Sequence, residues 1–229
     1  MKDQWLTDIV GGDCYTLAPD LQGVAEYDRT RRRGGRFFSV KVPTADVVMA
    51  QEFEDQGFRI VDTAVTLVRP AMQNAVSVAR DVHEAREEDF SALVDIAESA
   101  FCSRFHLDPQ IAPATASAIK RAWIGSYFTR DRGDRLFVHK DRGQPGGFLG
   151  SMLGAWKGQT AWIIDLIAVA PYAQGQCVGT RLVGAHLGYF PALCSLVGTQ
   201  ASNVASLALY SKMGFRIAKT EFVLHAHCY

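Results

Sequence analysis

The sequence predicts an α/β fold of the α+β kind, with a mixed, mostly antiparallel central sheet flanked by helices. Two observations carry that expectation. Short runs rich in β-branched and aromatic residues recur along the chain, bounded by Gly, Pro and Asp turn residues. Between them lie stretches whose apolar residues repeat at helical spacing. At 229 residues the chain has room for one large domain or two small ones.

The first unit is short. Phe37–Val42 (FFSVKV) reads as a strand stopped by Pro43. Thr44, Ala45, Val48, Met49 and Phe53 then follow a helical period up to Gly57, a helix stop, and Phe58–Val68 reads as a second strand. Arg69–Asn74 is the linker, because Pro70 cannot sit inside a central strand. This gives a small α/β domain over 1–74.

The second unit, 78–229, begins near Val78. Val82–Arg86 is a strand, and Glu87, Glu88 and Asp89 suit a helix N-terminus. Phe90, Leu93, Val94 and Ala97 line one helical face, which ends near Phe101. A loop, Cys102–Pro113, leads to a helix carrying Ile119, Ala122, Trp123 and Tyr127 on one side. Three strands follow, Arg135–His139, Gly147–Trp156 and Thr160–Ala170, separated by the hairpin-like turns Asp141-Arg142-Gly143 and Lys157-Gly158-Gln159. A helix at Val178–Tyr189, a strand at Cys194–Thr199, a helix at Val204–Met213 and a strand from Phe215 complete the pattern.

Composition narrows the function classes. Twenty-four basic residues balance 24 acidic ones, so no global field draws the chain onto nucleic acid or an anionic membrane. No apolar run approaches the roughly 18 residues of a membrane span, and the acidic, glycine-containing start does not read as a signal peptide. Five scattered cysteines without a Cys-x-x-Cys pair argue against a disulfide framework or a structural zinc site. His225 and His227 lack a third spaced ligand, so no metal is expected. The expectation is a reduced, cytoplasmic protein.

After the strand ending Ile167-Ala168-Val169 comes Gln174-Gly175-Gln176-Cys177-Val178-Gly179-Thr180. A small-residue loop opening a helix aligns backbone N–H groups with the positive end of the helix dipole, which suits a phosphate. Alone, it is equally an ordinary strand-to-helix turn. Downstream, Asn203 is a good helix N-cap and Tyr210 follows about two turns later on nearly the same face. Read alone, the pair is a cap and a core aromatic.

Together these two segments resemble the GNAT acetyltransferase superfamily over 78–229. Gln174 and Gly179 match its loop pattern Gln/Arg-x-x-Gly-x-Gly/Ala, and Asn203 to Phe215 match Asn-x-x-Ala/Ser-x-x-x-Tyr-x-x-x-Gly-Phe. Cys177 stands where the first glycine is expected, and a positive φ there would strain it. The resemblance implies acetyl-CoA as acyl donor. Its pantetheine arm would run along Ile167, Ala168 and Val169, its pyrophosphate would lie on Gln174–Thr180, and Asn203 would contact the arm. Tyr210 would protonate the departing thiolate.

The acceptor follows from chemistry first. An amine of pKa about 8 is about one-tenth neutral at pH 7, so its deprotonation is cheap, at about 1.4 kcal/mol. No His-based nucleophile arrangement is evident, so N-acylation is favoured over O-acylation. Asp165, beside the cofactor strand, is the candidate proton acceptor, with a structural carboxylate as the alternative. The segments Phe37–Pro43, Gln56–Asp62 and Ser103–Pro109 are similar to dTDP-fucosamine acetyltransferase and its sugar-amine relatives. That likeness implies a truncated N-terminal half and a nucleotide-linked 4-amino-sugar acceptor. Arg104 and His106 would meet its diphosphate or hydroxyls, or else order their own loop. Arg29–Arg33 is a solvated charged loop or a second phosphate contact. Other small amines, a protein N-terminus, or a non-catalytic acyl-CoA-binding module stand as alternatives, and a homodimer stays open.

Overall fold

The computed structural model describes residues 1–71, 79–100 and 103–228. Three elements precede the first foreseen strand: helix α1 (Gln4–Val10), strand β1 (Cys14–Leu17) and helix α2 (Leu21–Arg31). Both helices start on an aspartate cap, Asp3 accepting from the Leu6 amide and Asp20 from the Gly23 amide. The Arg29–Arg33 cluster is therefore not a loop throughout. Arg29 and Arg31 close the last turn of α2, and Arg31 and Arg32 both pair with Asp28. Strand β2 (Phe37–Pro43), helix α3 (Val47–Asp55) and strand β3 (Arg59–Arg69) lie where the pattern put them.

Strand β4 (Val82–Glu84) and helix α4 (Phe90–Ala100) follow. The expected plain loop before Pro113 contains a single helical turn, α5 (Arg104–Leu107), because Ser103 and His106 close a capping box around it. Helix α6 (Pro113–Phe128) opens on its proline. Then come β5 (Arg135–Asp141), β6 (Gln144–Trp156), β7 (Gln159–Val169), α7 (Val178–Tyr189), β8 (Cys194–Gln200), α8 (Val204–Lys212) and β9 (Arg216–His227). Arg142 and Lys157 adopt positive φ in the two-residue turns between β5, β6 and β7, as such hairpins require. The linker residues Met72–Asn74, the unit start at Val78, the helix end at Phe101 and the loop start at Cys102 lie outside the described residues.

Among the described residues nine strands form one sheet, in the order β1-β2-β9-β3-β8-β7-β6-β5-β4, and only β1–β2 and β7–β8 pair in parallel. The two sequence units are interleaved in it. Strand β3 of the N-terminal unit lies between β8 and β9, and β9 lies between β3 and β2. Helices cover both faces of the C-terminal half. A Cβ added at Gly147 of β6 would meet Val178 of α7, and one at Gly150 would meet Tyr127 of α6; these residues have opposite parity along the pleat. The main core gathers Leu93 and Ala97 from α4, Phe148 and Leu149 from β6, and Leu182 and Val183 from α7, all buried. A second core sets Phe38 and Val40 of β2 against Phe53 and Phe58.

Asp108 ties the segment after α5 to the last strand. Its Oδ2 lies 2.8 Å from His225 Nδ1 and 2.9 Å from His227 Nε2, and the carboxylate is 2% exposed. Burial pushes the Asp108 carboxyl up, but hydrogen bonds from His225, His227 and the Gln110 amide together hold it well below the usual carboxylate range. Such a carboxylate adds stability above its unfolded pKa of about 3.9 and loses it as the pH falls further. Asp108→Asn is therefore expected to lower stability by about 1–3 kcal/mol at pH 7. In urea titrations between pH 7 and pH 3.5, the difference from wild type should shrink at the acid end. A difference constant with pH would contradict this.

Candidate active site

Strands β7 and β8 are bonded to each other only over Ala161–Ile164 and Cys194–Val197. Beyond that point β7 runs on to Val169 and β8 to Gln200 without pairing to each other. Strand β8 is taken by β3 on its other side, with Ala64 opposite Gln200 and Val65 opposite Thr199. Strand β7 is held by β6 alone, from Gly147–Val169 to Gly150–Leu166. In an antiparallel pair alternate residues turn their N–H and C=O away from the partner, so part of the β7 backbone here faces the gap. A cavity of about 550 Å³ occupies it, within the usual range for small-molecule sites.

A β-bulge sits where the gap begins. Gly150 pairs with Leu166 and Ser151 with Ile164, leaving Asp165 as the extra residue. Asp165 lines the cavity but is heavily engaged. Its Oδ2 accepts from Trp123 Nε1 at 2.8 Å, the Tyr127 hydroxyl at 3.0 Å and Arg132 Nε at 2.8 Å, while Oδ1 takes the other Arg132 nitrogen at 2.5 Å. The carboxylate is 7% exposed. Tyr127 reaches it only because Gly150 has no side chain; a Cβ there would come within 2.6 Å of the Tyr127 ring. A carboxylate so occupied anchors α6 to the bulge. The structural alternative for Asp165 is the one its geometry favours.

Tyr210 lines the same cavity, 1% exposed, with its ring against Phe215. Burial raises its pKa, so the phenol stays protonated through the neutral range. Asn203 also lines the cavity and caps α8 by accepting from the Ser206 amide at 3.1 Å. With Oδ1 so used, its Nδ2 is the atom able to donate to a ligand. Ile167 reaches the cavity, Ala168 is buried opposite Phe148, and Val169 ends the strand.

The loop beyond β7 opens α7. Gly175 and Cys177 both have positive φ, 77° and 62°, so the expected strain at Cys177 is present, about 1–2 kcal/mol for a residue with a Cβ. Cys177 is exposed and stands at the N-cap of α7. Gln174 Nε2 reaches the Val169 carbonyl at 3.4 Å and Gln176 Nε2 the Tyr172 carbonyl at 2.8 Å. Val178 is buried, and Thr180 is half-buried on the first turn. A Cβ at Gly179 would meet Leu209 of α8 at 3.1 Å and Val169 at 3.8 Å. The α7 N-terminus is thus packed beside both the strand end and the helix that carries Asn203 and Tyr210.

The opposite wall comes from the N-terminal unit and α5. Arg104 lines the cavity with its Nε sealed from solvent and lacking a hydrogen-bond partner among the described residues. Burial pushes its pKa down, against the pull of Asp3 and Asp62. Lys41 lines the same cavity; water reaches its side chain, yet surrounding protein, with the charge of Arg104, pushes its pKa down. His106 is not among the lining residues. Its Nδ1 meets the Ser103 hydroxyl at 2.8 Å and completes the α5 cap, so it orders its own turn. Lys41, Asp62, Trp123 and Arg132 carried no site signal in the sequence, where Trp123 read as a core residue. Among the described residues no group of three His, Cys, Asp or Glu is placed to hold a metal ion, and no helix is long and apolar enough to cross a membrane.

Comparison with known proteins gives the same picture. The acetyltransferase (GNAT) family model matches residues 90–215, more than half of the chain. The spore coat polysaccharide biosynthesis protein SpsD of Bacillus subtilis (strain 168) is 24% identical over 196 residues, which cover 82% of this chain and 66% of that protein. The chain thus spans just under two thirds of that relative's length. A conserved protein of unknown function from Staphylococcus epidermidis superposes with a TM-score of 0.67 at 14% identity, covering 95% of this chain and 85% of its own. A GCN5-related N-acetyltransferase from Sphaerobacter thermophilus superposes with a TM-score of 0.59 at 13% identity, covering 91% and 66%. Both share the fold. Enzymes of this family take their acetyl group from acetyl-CoA and act on amine acceptors. With the parted strands, the loop-and-helix beside them and the family match over most of the second unit, this chain belongs to the acetyltransferase (GNAT) family.

Proposed function

We propose that the protein moves an acetyl group from acetyl-CoA to the amine of a small acceptor, a nucleotide-linked 4-amino-deoxysugar. The observation that carries this reading is the parting of β7 from β8, with Tyr210 lining the cavity between them. In this reading the unpaired β7 backbone at 165–169 bonds the pantetheine arm as a third strand would, and Asn203 Nδ2 adds a donor. The amides of 174–180 at the start of α7 receive the pyrophosphate, helped by the helix dipole. Tyr210 gives its proton to the leaving sulfur. Asp165 positions α6 and the bulge instead of serving as base.

Units 1–74 and 78–229 divide the work. The first, together with α5 of the second, supplies the acceptor wall, and the rest of the second supplies the donor groove. Arg104 and Lys41 favour an acceptor that carries negative charge, as a diphosphate does, since the Arg104 Nε is sealed from solvent without a partner among the described residues and an anion brings it a charged hydrogen-bond acceptor. The likeness to a polysaccharide biosynthesis protein supports a sugar-linked amine.

Two tests follow. Release of free thiol from acetyl-CoA should depend on a dTDP-linked 4-amino-deoxysugar, and Tyr210→Phe should lower kcat by about 10²- to 10⁴-fold with little change in acetyl-CoA affinity. Unaltered turnover would remove Tyr210 from this role. For the loop, Cys177 is more exposed than Cys14, Cys194 or Cys228. Peptide-resolved labelling with iodoacetamide should modify it ahead of those three, and acetyl-CoA should protect it. Cys177→Gly should preserve or tighten acetyl-CoA binding in calorimetry, because it relieves the positive-φ strain. Equal labelling with and without acetyl-CoA, joined to weaker binding by the glycine variant, would place the donor elsewhere.

A further inference from the structure

An acceptor amine enters as an ammonium at neutral pH and must lose a proton before it can attack. With Asp165 occupied, that step has no owner among the residues described so far. Three aspartates line the cavity: Asp3, Asp62 and Asp165. Asp165 accepts four hydrogen bonds from α6 and Arg132. Asp3 is the cap of α1, with Oδ1 on the Leu6 amide. Asp62 is held by its neighbour's amide, Thr63 N to Oδ1 at 2.7 Å, and by the Gln200 side chain.

The position of Asp62 is built by the strand exchange. Between the pairs Ile60–Leu224 and Asp62–Val223 the register slips, leaving Val61 as an extra residue of β3. The bulge brings Asp62 into one row with Val223 of β9 and Lys41 of β2, and all three line the cavity. Further along the same face, Ala64 and Thr66 of β3 and their partners Gln200 and Gly198 of β8 line it too. Asp62 is thus a carboxylate of the N-terminal unit facing the space that holds Tyr210.

We propose that Asp62 receives the acceptor's ammonium and takes its first proton, making it a catalytic residue contributed by the N-terminal unit. This rests on the acetyl-transfer reading above. The ammonium N–H proton passes to an Asp62 oxygen, leaving a neutral amine. The C–N bond forms to the acetyl carbon as the C–S bond breaks, and the Tyr210 hydroxyl proton goes to sulfur. The nitrogen's second surplus proton and the one held by Asp62 leave to solvent, while Tyr210 takes one proton back. One acetamide, one thiol and one proton result for each ammonium consumed.

An ordinary carboxylate is about ten-thousand-fold too weak a base for an amine of pKa about 8. Burial raises the Asp62 pKa and narrows that gap, despite hydrogen bonds from Thr63 and Gln200 and the charges of Arg104 and Lys41. The charged groups around it are Lys41 from β2, Arg104 from α5 and Asp3 at the start of α1. Arg132 and Asp165 line the same cavity, and the Lys219–Glu221 pair of β9 acts on Lys41.

The test is the pH dependence of kcat/KM, from pH 6 to pH 10, for Asp62→Asn and Asp62→Glu with a dTDP-linked 4-amino-4,6-dideoxyhexose. Asp62→Asn should lose about a hundredfold or more at pH 7 and recover most of it above the amine's own pKa, where no base is needed. Asp62→Glu should restore part of the loss, and acetyl-CoA affinity by calorimetry should stay the same. A loss of equal size at every pH, or none at pH 7, would overturn the assignment. Should the variants misfold, ¹³C-carboxyl NMR of the unmutated enzyme gives a second reading. The Asp62 signal should titrate above the ordinary carboxylate range and move when the amino sugar is added; a signal indifferent to the sugar overturns the proposal. Failure of the acetyl-transfer reading looks different, as thiol release indifferent to Tyr210→Phe.

Discussion

Beyond Ile164 and Val197, β7 and β8 no longer share hydrogen bonds, and most of what this molecule offers chemically follows from that separation. Backbone N–H and C=O groups in a partly buried strand need partners. Past the parting each strand keeps one neighbour, β6 for β7 and β3 for β8, and neither receives bonds from the other on its gap side. The bulge at Asp165 lies where the parting begins and ties β7 to Trp123, Tyr127 and Arg132, while β8 pairs with the inserted β3.

The exchanged strands have a second consequence. Because β3 lies between β8 and β9, Asp62, Ala64, Val65 and Thr66, 144 to 148 positions before Tyr210, line the same cavity as it does. The wall they form is mixed in charge, with Arg104 and Lys41 against Asp62 and Asp3. Taking these groups partly out of water lowers the proton affinity of the cations and raises that of the Asp62 carboxyl. The wall therefore suits a polar, charged acceptor, while the groove beside β7 suits an extended arm ending in phosphates.

What could be read from the sequence was local. Asn203 and Tyr210 sit two turns apart on one short helix, and the loop at 174–180 is contiguous, so both could be matched to the GNAT pattern, though period and spacing alone left them a cap, a core aromatic and a turn. The positive φ of Cys177 was foreseeable because a glycine pattern breaks there. The proposed acceptor wall was not local. Arg104 was named only from a resemblance, and Lys41, Asp62 and Arg132 come from other segments that the register of β2, β9 and β3 and the turn of α5 bring together. Asp165 could be placed beside the cavity strand β7 from the sequence, but its four donors come from α6 and the residues after it, and no spacing rule links them. The opening helices α1 and α2 were missed because their signal is an aspartate cap with little apolar periodicity.

The central claim is that the gap between β7 and β8 is the donor site. Amide hydrogen exchange, resolved to single residues and measured with and without acetyl-CoA, tests it most directly. The account predicts slowed exchange on binding at 165–169 and 175–180, with little change at the far sheet edge in β1. Binding that leaves those two segments unprotected and slows exchange elsewhere would contradict it.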